Sequence, residues 1–103
     1  MKERTRRLPR DRKEELLSAA LALAEKQGYL NVSRAAIAAK CDVSEALLSH
    51  HFGTMAEFRR TLMRYAIQHE SLPVVLQGIV DKNRYALKAP DALKARARAE
   101  IAA

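Results

Sequence analysis

Tryptophan is absent from this 103-residue sequence, aromatic residues make up only 5% of it, and glycine and proline number three each. With so few strand-favouring and chain-reversing residues, and an apolar share dominated by Ala and Leu, the composition favours helices over strands. The single cysteine, Cys41, excludes an internal disulfide and a cysteine metal cluster. No apolar run approaches the roughly 20 residues of a membrane-spanning helix, and the first residues are too charged for a secretion signal. What is present is 49% hydrophobic and 30% charged residues, the proportions of a folded domain rather than a disordered tail. The expectation is a single small domain, all-α, reduced and cytoplasmic.

The charge is uneven. The net value is +7, and most of it lies at the two ends of the chain. Residues 1–13 carry net +5 through Lys2, Arg4, Arg6, Arg7, Arg10, Arg12 and Lys13. Residues 80–103 carry net +3, and the stretch between is close to neutral at −1. A basic arm over residues 1–10 beside a folded unit suits a polyanionic partner such as nucleic acid. A merely solubilising tail is the alternative.

Capping signals and apolar spacing divide the rest into helices. Asp11 and Glu14 have the spacing of a capping box, followed by Leu17, Ala20, Leu21 and Ala24 at helical intervals. Gly28 is placed to close that helix in a left-handed conformation. Ser33 can cap a second helix reaching about residue 40, and Cys41, Asp42 and Val43 form a tight turn. Ser44 can cap a third helix to about residue 51, where Gly53 breaks the pattern. Thr54 and Glu57 make a second capping box for a longer helix, with Phe58, Leu62, Tyr65 and Ala66 inward. Pro73 interrupts the pattern, and two segments follow: residues 74–86, weakened by Gly78, and residues 90–101, with Pro90 in the first turn.

Two short helices joined by a three-residue turn suggest a helix-turn-helix. Ile37 and Ala38 would face the partner helix, Asp42 would take the positive φ that the turn demands, and Val43 and Leu48 would anchor the core. A plain three-helix bundle accounts for the same spacing. At these residues the sequence resembles a known family: residues 16–62 are similar to the DNA-binding half of TetR-type transcriptional regulators. The likeness rests on "AALALAEKQGY" in the first helix, Ser33 at the second, "IA" at Ile37 and Ala38, "DVS" from Asp42, and "HF" at His51 and Phe52.

The resemblance implies a TetR-like, homeodomain-like three-helix domain over residues 11–71, with a connecting helix and short C-terminal helices. It makes the third helix the recognition helix of the major groove, with Glu45, Ala46, Ser49 and His50 outward. Glu45 could accept from a cytosine amino group and Ala46 could touch a thymine methyl. Ser33, Arg34, Ser44 and Thr54 would stand at helix starts facing phosphates, and His51 would support the backbone contact. This chain also departs from the family pattern. Ser49 replaces the usual tyrosine, Met55 the common lysine, and Asp42 the usual glycine, so phosphate contacts are lost from the motif. Arg4, Arg6, Arg7 and Arg10 of the arm would compensate by tracking phosphates or entering the minor groove.

Residues 72–103 read as a short helical extension, with Val75, Leu76, Ile79, Val80, Leu87, Leu93, Ala97 and Ile101 offering apolar surface for a homodimer. The same residues could instead cover the core of one monomer. The extension is too short to enclose a pocket of ordinary size, so no small-molecule inducer and no cofactor are expected. Enzymatic patterns are missing. His50 and His51 are adjacent on a helix and do not chelate one ion together, and Glu57 and His69 complete no ligand spacing. Cys41 reads as packing rather than as a nucleophile. The sequence therefore suggests a repressor that binds double-stranded DNA as a dimer on a palindromic operator, with half-sites about one helical turn apart. A non-specific architectural binder led by the arm, and a protein-interaction module acting on the transcription machinery, remain as alternatives.

Overall fold

The computed structural model describes the backbone of residues 9–102 and the side chains of residues 11–100. Arg4, Arg6 and Arg7 of the basic arm, and the side chains of Arg10 and Ile101, lie outside what is described. Among the described residues the fold is all-α: α1 (Pro9–Gln27), α2 (Arg34–Cys41), α3 (Glu45–Phe52), α4 (Met55–Gln68), α5 (Leu72–Val80), α6 (Arg84–Leu87) and α7 (Asp91–Ala102), with a 3₁₀ turn at Tyr29–Asn31.

The local chemistry of the first four helices follows the caps. Ser33 Oγ accepts from the Ala36 N–H at 3.0 Å, and Ser44 Oγ from the Leu47 N–H at 3.1 Å. Asp42 takes the left-handed conformation, φ 55° and ψ 50°, and the Val43 N–H returns to the Ala38 carbonyl. Thr54 and Glu57 form the full capping box: the Thr54 N–H donates to Glu57 Oε1 at 2.8 Å, and the Glu57 N–H donates to Thr54 Oγ1 at 3.1 Å. Gly53 is confined to glycine twice over. Its φ is +78°, and a Cβ there would strike the Glu57 carboxylate.

Several boundaries differ from the expectations. α1 starts at Pro9, not at a cap on Asp11: proline fits the first turn of a helix, and Asp11 sits inside that turn, where the helix dipole favours an acid. Gly28 has φ 95° and ψ 137°, so it ends α1 in an extended glycine conformation instead of the left-handed one. Cys41 is the last residue of α2, and the turn runs over residues 42–44. α4 ends before Pro73 is reached, at a reversal in which Glu70 has φ 55°, while Pro73 lies in the first turn of α5. The segment expected over residues 74–86 is two helices, parted by a turn with Lys82 at φ 61°. Pro90 precedes α7, its carbonyl accepting from the Lys94 N–H.

The core joins both halves of the chain. Leu16, Ala20, Ala24, Val32, Ile37, Leu48, Phe58, Leu62, Met63 and Ala66 are buried with Val74 from α5 and Ala86 from α6. A second cluster, Val75, Ala89, Leu93 and Ala97, closes α5 against α7. Three residues of the expected dimer surface, Val75, Leu93 and Ala97, are therefore inside the monomer, because α7 folds back over α5. Val80, 71% exposed, and Leu87, 41% exposed, remain outside. Polar ties cross the same boundary. The Tyr29 hydroxyl donates to Asp81 at 2.7 Å, the Tyr29 N–H donates to Gln77 Oε1 at 2.8 Å, and Gln77 Nε2 donates to the Ala24 carbonyl at 3.1 Å. Burial and the Asp81 carboxylate push the Tyr29 phenol up to about 12, so it stays a donor across the physiological range. These ties hold the entry to α2 rigidly against α5.

Candidate nucleic-acid interface

Short caps, the Asp42 turn and one buried residue per turn place α3. Leu48 and Phe52 face inward, with the Phe52 ring edge-on to Phe58 at 5.1 Å between centroids. That fixes the rotation of α3 and turns Glu45, Ala46, Ser49 and His50 outward, where all four are exposed. Ser44, at its N-terminus, is exposed too. Ser33 is exposed at the start of α2, with Arg34 half-buried beside it along a small cleft lined by Ile37, Leu48, Phe52, Met55 and Phe58. The Ser33 and Ser44 hydroxyls each accept one backbone N–H, which leaves the hydroxyl proton free to donate outward.

Thr54 is differently placed. Its hydroxyl accepts from the Glu57 N–H and donates to Glu57 Oε1 at 3.3 Å, so it is committed within its own cap beside a carboxylate. That arrangement positions α4.

His51 is half-buried on the last turn of α3. Its ring is 5.5 Å from the His50 ring, edge to face, and 6.0 Å from Phe52. Burial, and then the charges of His50, Lys13 and Arg12, lower its pKa below the usual imidazole value. Arg12 and Lys13 are the residues that sequence reasoning did not single out as site residues. Continuation of α1 back to Pro9 brings them against the end of α3. Lys13 Nζ stands 5.8 Å over the Phe52 ring, and Arg12 pairs with Glu15 at 3.5 Å. Arg12 also acts on Cys41 at the end of α2, whose thiol is pushed up by burial and is thereby a poor nucleophile. Only the run of basic residues across the start of a helix could have signalled this cluster.

Among the described residues no group of three or more His, Cys, Asp or Glu side chains is arranged to hold a metal ion, and no helix is long and apolar enough to cross a membrane. α2, packed on α1, the Asp42 turn, and α3, packed on α2 and α4, define a helix-turn-helix domain with an exposed second helix. The family model for bacterial regulatory proteins of the tetR family matches residues 16–62, the same stretch that carries this geometry. Residues 16–62 are thus a TetR-family helix-turn-helix DNA-binding domain, the module of a DNA-binding transcription regulator. No curated protein and no solved structure matches the chain.

Proposed function

We propose that the protein is a sequence-specific repressor that occupies a palindromic operator as a homodimer and blocks polymerase. The observation that carries this reading is the outward face of α3. Glu45, Ala46, Ser49 and His50 are exposed together on a helix whose rotation is fixed by Leu48 and Phe52. In the major groove, Glu45 reads a cytosine amino group, Ala46 packs on a thymine methyl, and Ser49 and His50 reach base edges or phosphates. Ser33, Arg34 and Ser44 hold the flanking phosphates. For the dimer, Val80 and Leu87 are, among the described residues, the large apolar side chains of the C-terminal helices left exposed once Val75 and Leu93 are buried. Release without a small-molecule inducer fits a C-terminal unit whose interior is filled by Val74, Val75, Ala86, Leu93 and Ala97.

The test is fluorescence anisotropy on duplex tiles from the upstream region of the gene itself, against scrambled duplex, over a salt series. Specific recognition predicts one tile bound about a thousandfold or more tighter than scramble. Equal, steeply salt-dependent binding to all tiles would instead favour the non-specific binder that net +5 over residues 1–13 permits. Absence of binding at moderate salt would move the protein-interaction module to first place.

A second expected outcome concerns the arm. Deleting residues 1–10 should weaken binding to every duplex alike and flatten the plot of log K against log salt by up to about 0.9 for each lost phosphate contact. An unchanged slope would remove the arm from the interface.

A further inference from the structure

We propose that Arg12, Lys13, His50 and His51 form one phosphate-binding cluster at the C-terminal end of α3, and that seating duplex DNA there draws a proton from solvent onto the His51 imidazole. The proposal rests on the DNA-binding reading above and adds to it a second point of phosphate contact and a pH response. Two elements distant in sequence build the cluster. α1 supplies Arg12 and Lys13, and the last turn of α3 supplies the two imidazoles. Lys13 is held in place by its position over the Phe52 ring, and His50 and His51 meet edge to face. His50 and Lys13 are exposed, whereas His51 and Arg12 are half-buried.

Burial, and then the charges facing His51, explain why its proton is labile. From its own helix it meets His50, and from α1 it meets Lys13 and Arg12, all cationic when charged. α4, also packed against α3, brings Glu57, whose carboxylate is engaged by the Thr54 amide and hydroxyl. Glu15 on α1 is the acid that pairs with Arg12. A free chain therefore disfavours a proton on His51. A phosphodiester oxygen brought onto the cluster reverses that balance, because a nearby negative charge favours the cationic imidazole. The sign follows: the bound state has the higher imidazole pKa, so affinity rises as pH falls through the range between the free and bound values. The uptake of one proton limits the gain to about tenfold for each unit by which the pKa rises.

The cluster contacts backbone and not bases, so a mixed-sequence DNA duplex suffices as the probe. Anisotropy is measured at about pH 5.5 and about pH 7.5, the window of imidazole titration, at fixed ionic strength. The histidine ring proton shifts are followed by NMR with and without the duplex. The expected result is about three- to tenfold tighter binding at the lower pH, with the His51 resonance titrating at a higher pH in the complex. His51→Gln should lose most of that pH dependence, while His69→Gln, at the histidine that meets Glu14 at 3.8 Å, should keep it. Lys13→Gln should weaken binding at both pH values and lower the salt slope by up to about 0.9. Circular dichroism establishes that each variant is folded, and the wild-type NMR titration needs no variant at all. Equal wild-type affinity at the two pH values, with an unmoved His51 resonance, would overturn the proposal and leave DNA binding standing. An unchanged affinity and slope for Lys13→Gln would also overturn it. Failure to bind duplex at any pH or salt would overturn both this proposal and the reading beneath it.

Discussion

Leu62→Ala should lower the stability of the whole chain by about 2–5 kcal/mol, the range for emptying a leucine site in a packed core. Leu62 has no exposed surface and sits on α4, at the centre of the cluster that takes Leu16 and Ala20 from α1, Phe58 from its own helix, and Val74 and Ala86 from beyond Ser71. For a domain whose total stability is about 5–15 kcal/mol, that loss is a large fraction. Thermal denaturation should move down by at least about 10 °C. The more informative result is the shape of the transition. Residues 11–71 and 72–103 read from the sequence as a DNA-binding domain and an extension. In the fold, Val74 and Ala86 are buried in the same cluster as Leu62. Helicity followed by circular dichroism and the signal of the three tyrosines followed by fluorescence should therefore lose structure together, in one urea transition with an unchanged m value. Two separated transitions would show that the extension folds apart from the helix-turn-helix. Leu62→Met, which keeps the volume, should cost less than about 1.5 kcal/mol.

The helix-turn-helix was legible because its determinants are local. Ser33, Ser44 and the pair Thr54 and Glu57 act on backbone groups three residues away, so residue type and spacing suffice to read them. Asp42 was legible for the same reason: a turn of that length needs one positive φ, and Asp tolerates it. The reversals at Glu70 and Lys82 were not. Both residues adopt φ near 60° without the glycine or asparagine that would advertise a left-handed position, and both are set by how α5 and α6 dock. Nor was the tie of Tyr29 to Asp81 and Gln77 legible, since it joins residues about fifty positions apart and only packing brings them together. The exposed face of α3 was read correctly as exposed, because Leu48 and Phe52 are the helix's large apolar residues at four-residue spacing. The cluster at its far end was missed because Arg12 and Lys13 were counted with a basic terminus. They are in fact helical, and α1 carries them across to His51.

Gly78→Val should destabilise the chain by about 3 kcal/mol, at the upper end of the range for overpacking a closed core. Its local effect alone has the opposite sign: in an exposed helix interior, replacing glycine with a larger residue removes backbone entropy from the unfolded chain and favours the helix. The surroundings of Gly78 reverse that outcome. A Cβ at this position would lie 2.6 Å from the Ala86 Cβ and 2.7 Å from the Met63 Cε, distances that real side chains do not sustain. Met63 is fully buried and has little room to move, and Ala86 is fixed by the Asn83 cap of α6, which accepts from the Tyr85 and Ala86 N–H groups. The residue that reads as a weak point in a single long helix is thus the contact at which α5 seats on α4 and α6. Gly78→Ala should show the same conflict in smaller form, its helix gain of about 1 kcal/mol cancelled or exceeded by the clash. Shortening the opposing side chain with Met63→Leu should relieve part of the cost, so the double mutant Gly78→Ala/Met63→Leu should be less destabilised than the sum of the singles. A stabilising Gly78→Ala would refute the close approach of α5 to α6. Because Asp81 and Gln77 lie on the same short segment and hold Tyr29 at the entry to α2, unseating α5 should also loosen the helix-turn-helix. Gly78→Val should then lose duplex affinity even at temperatures where its helices remain formed.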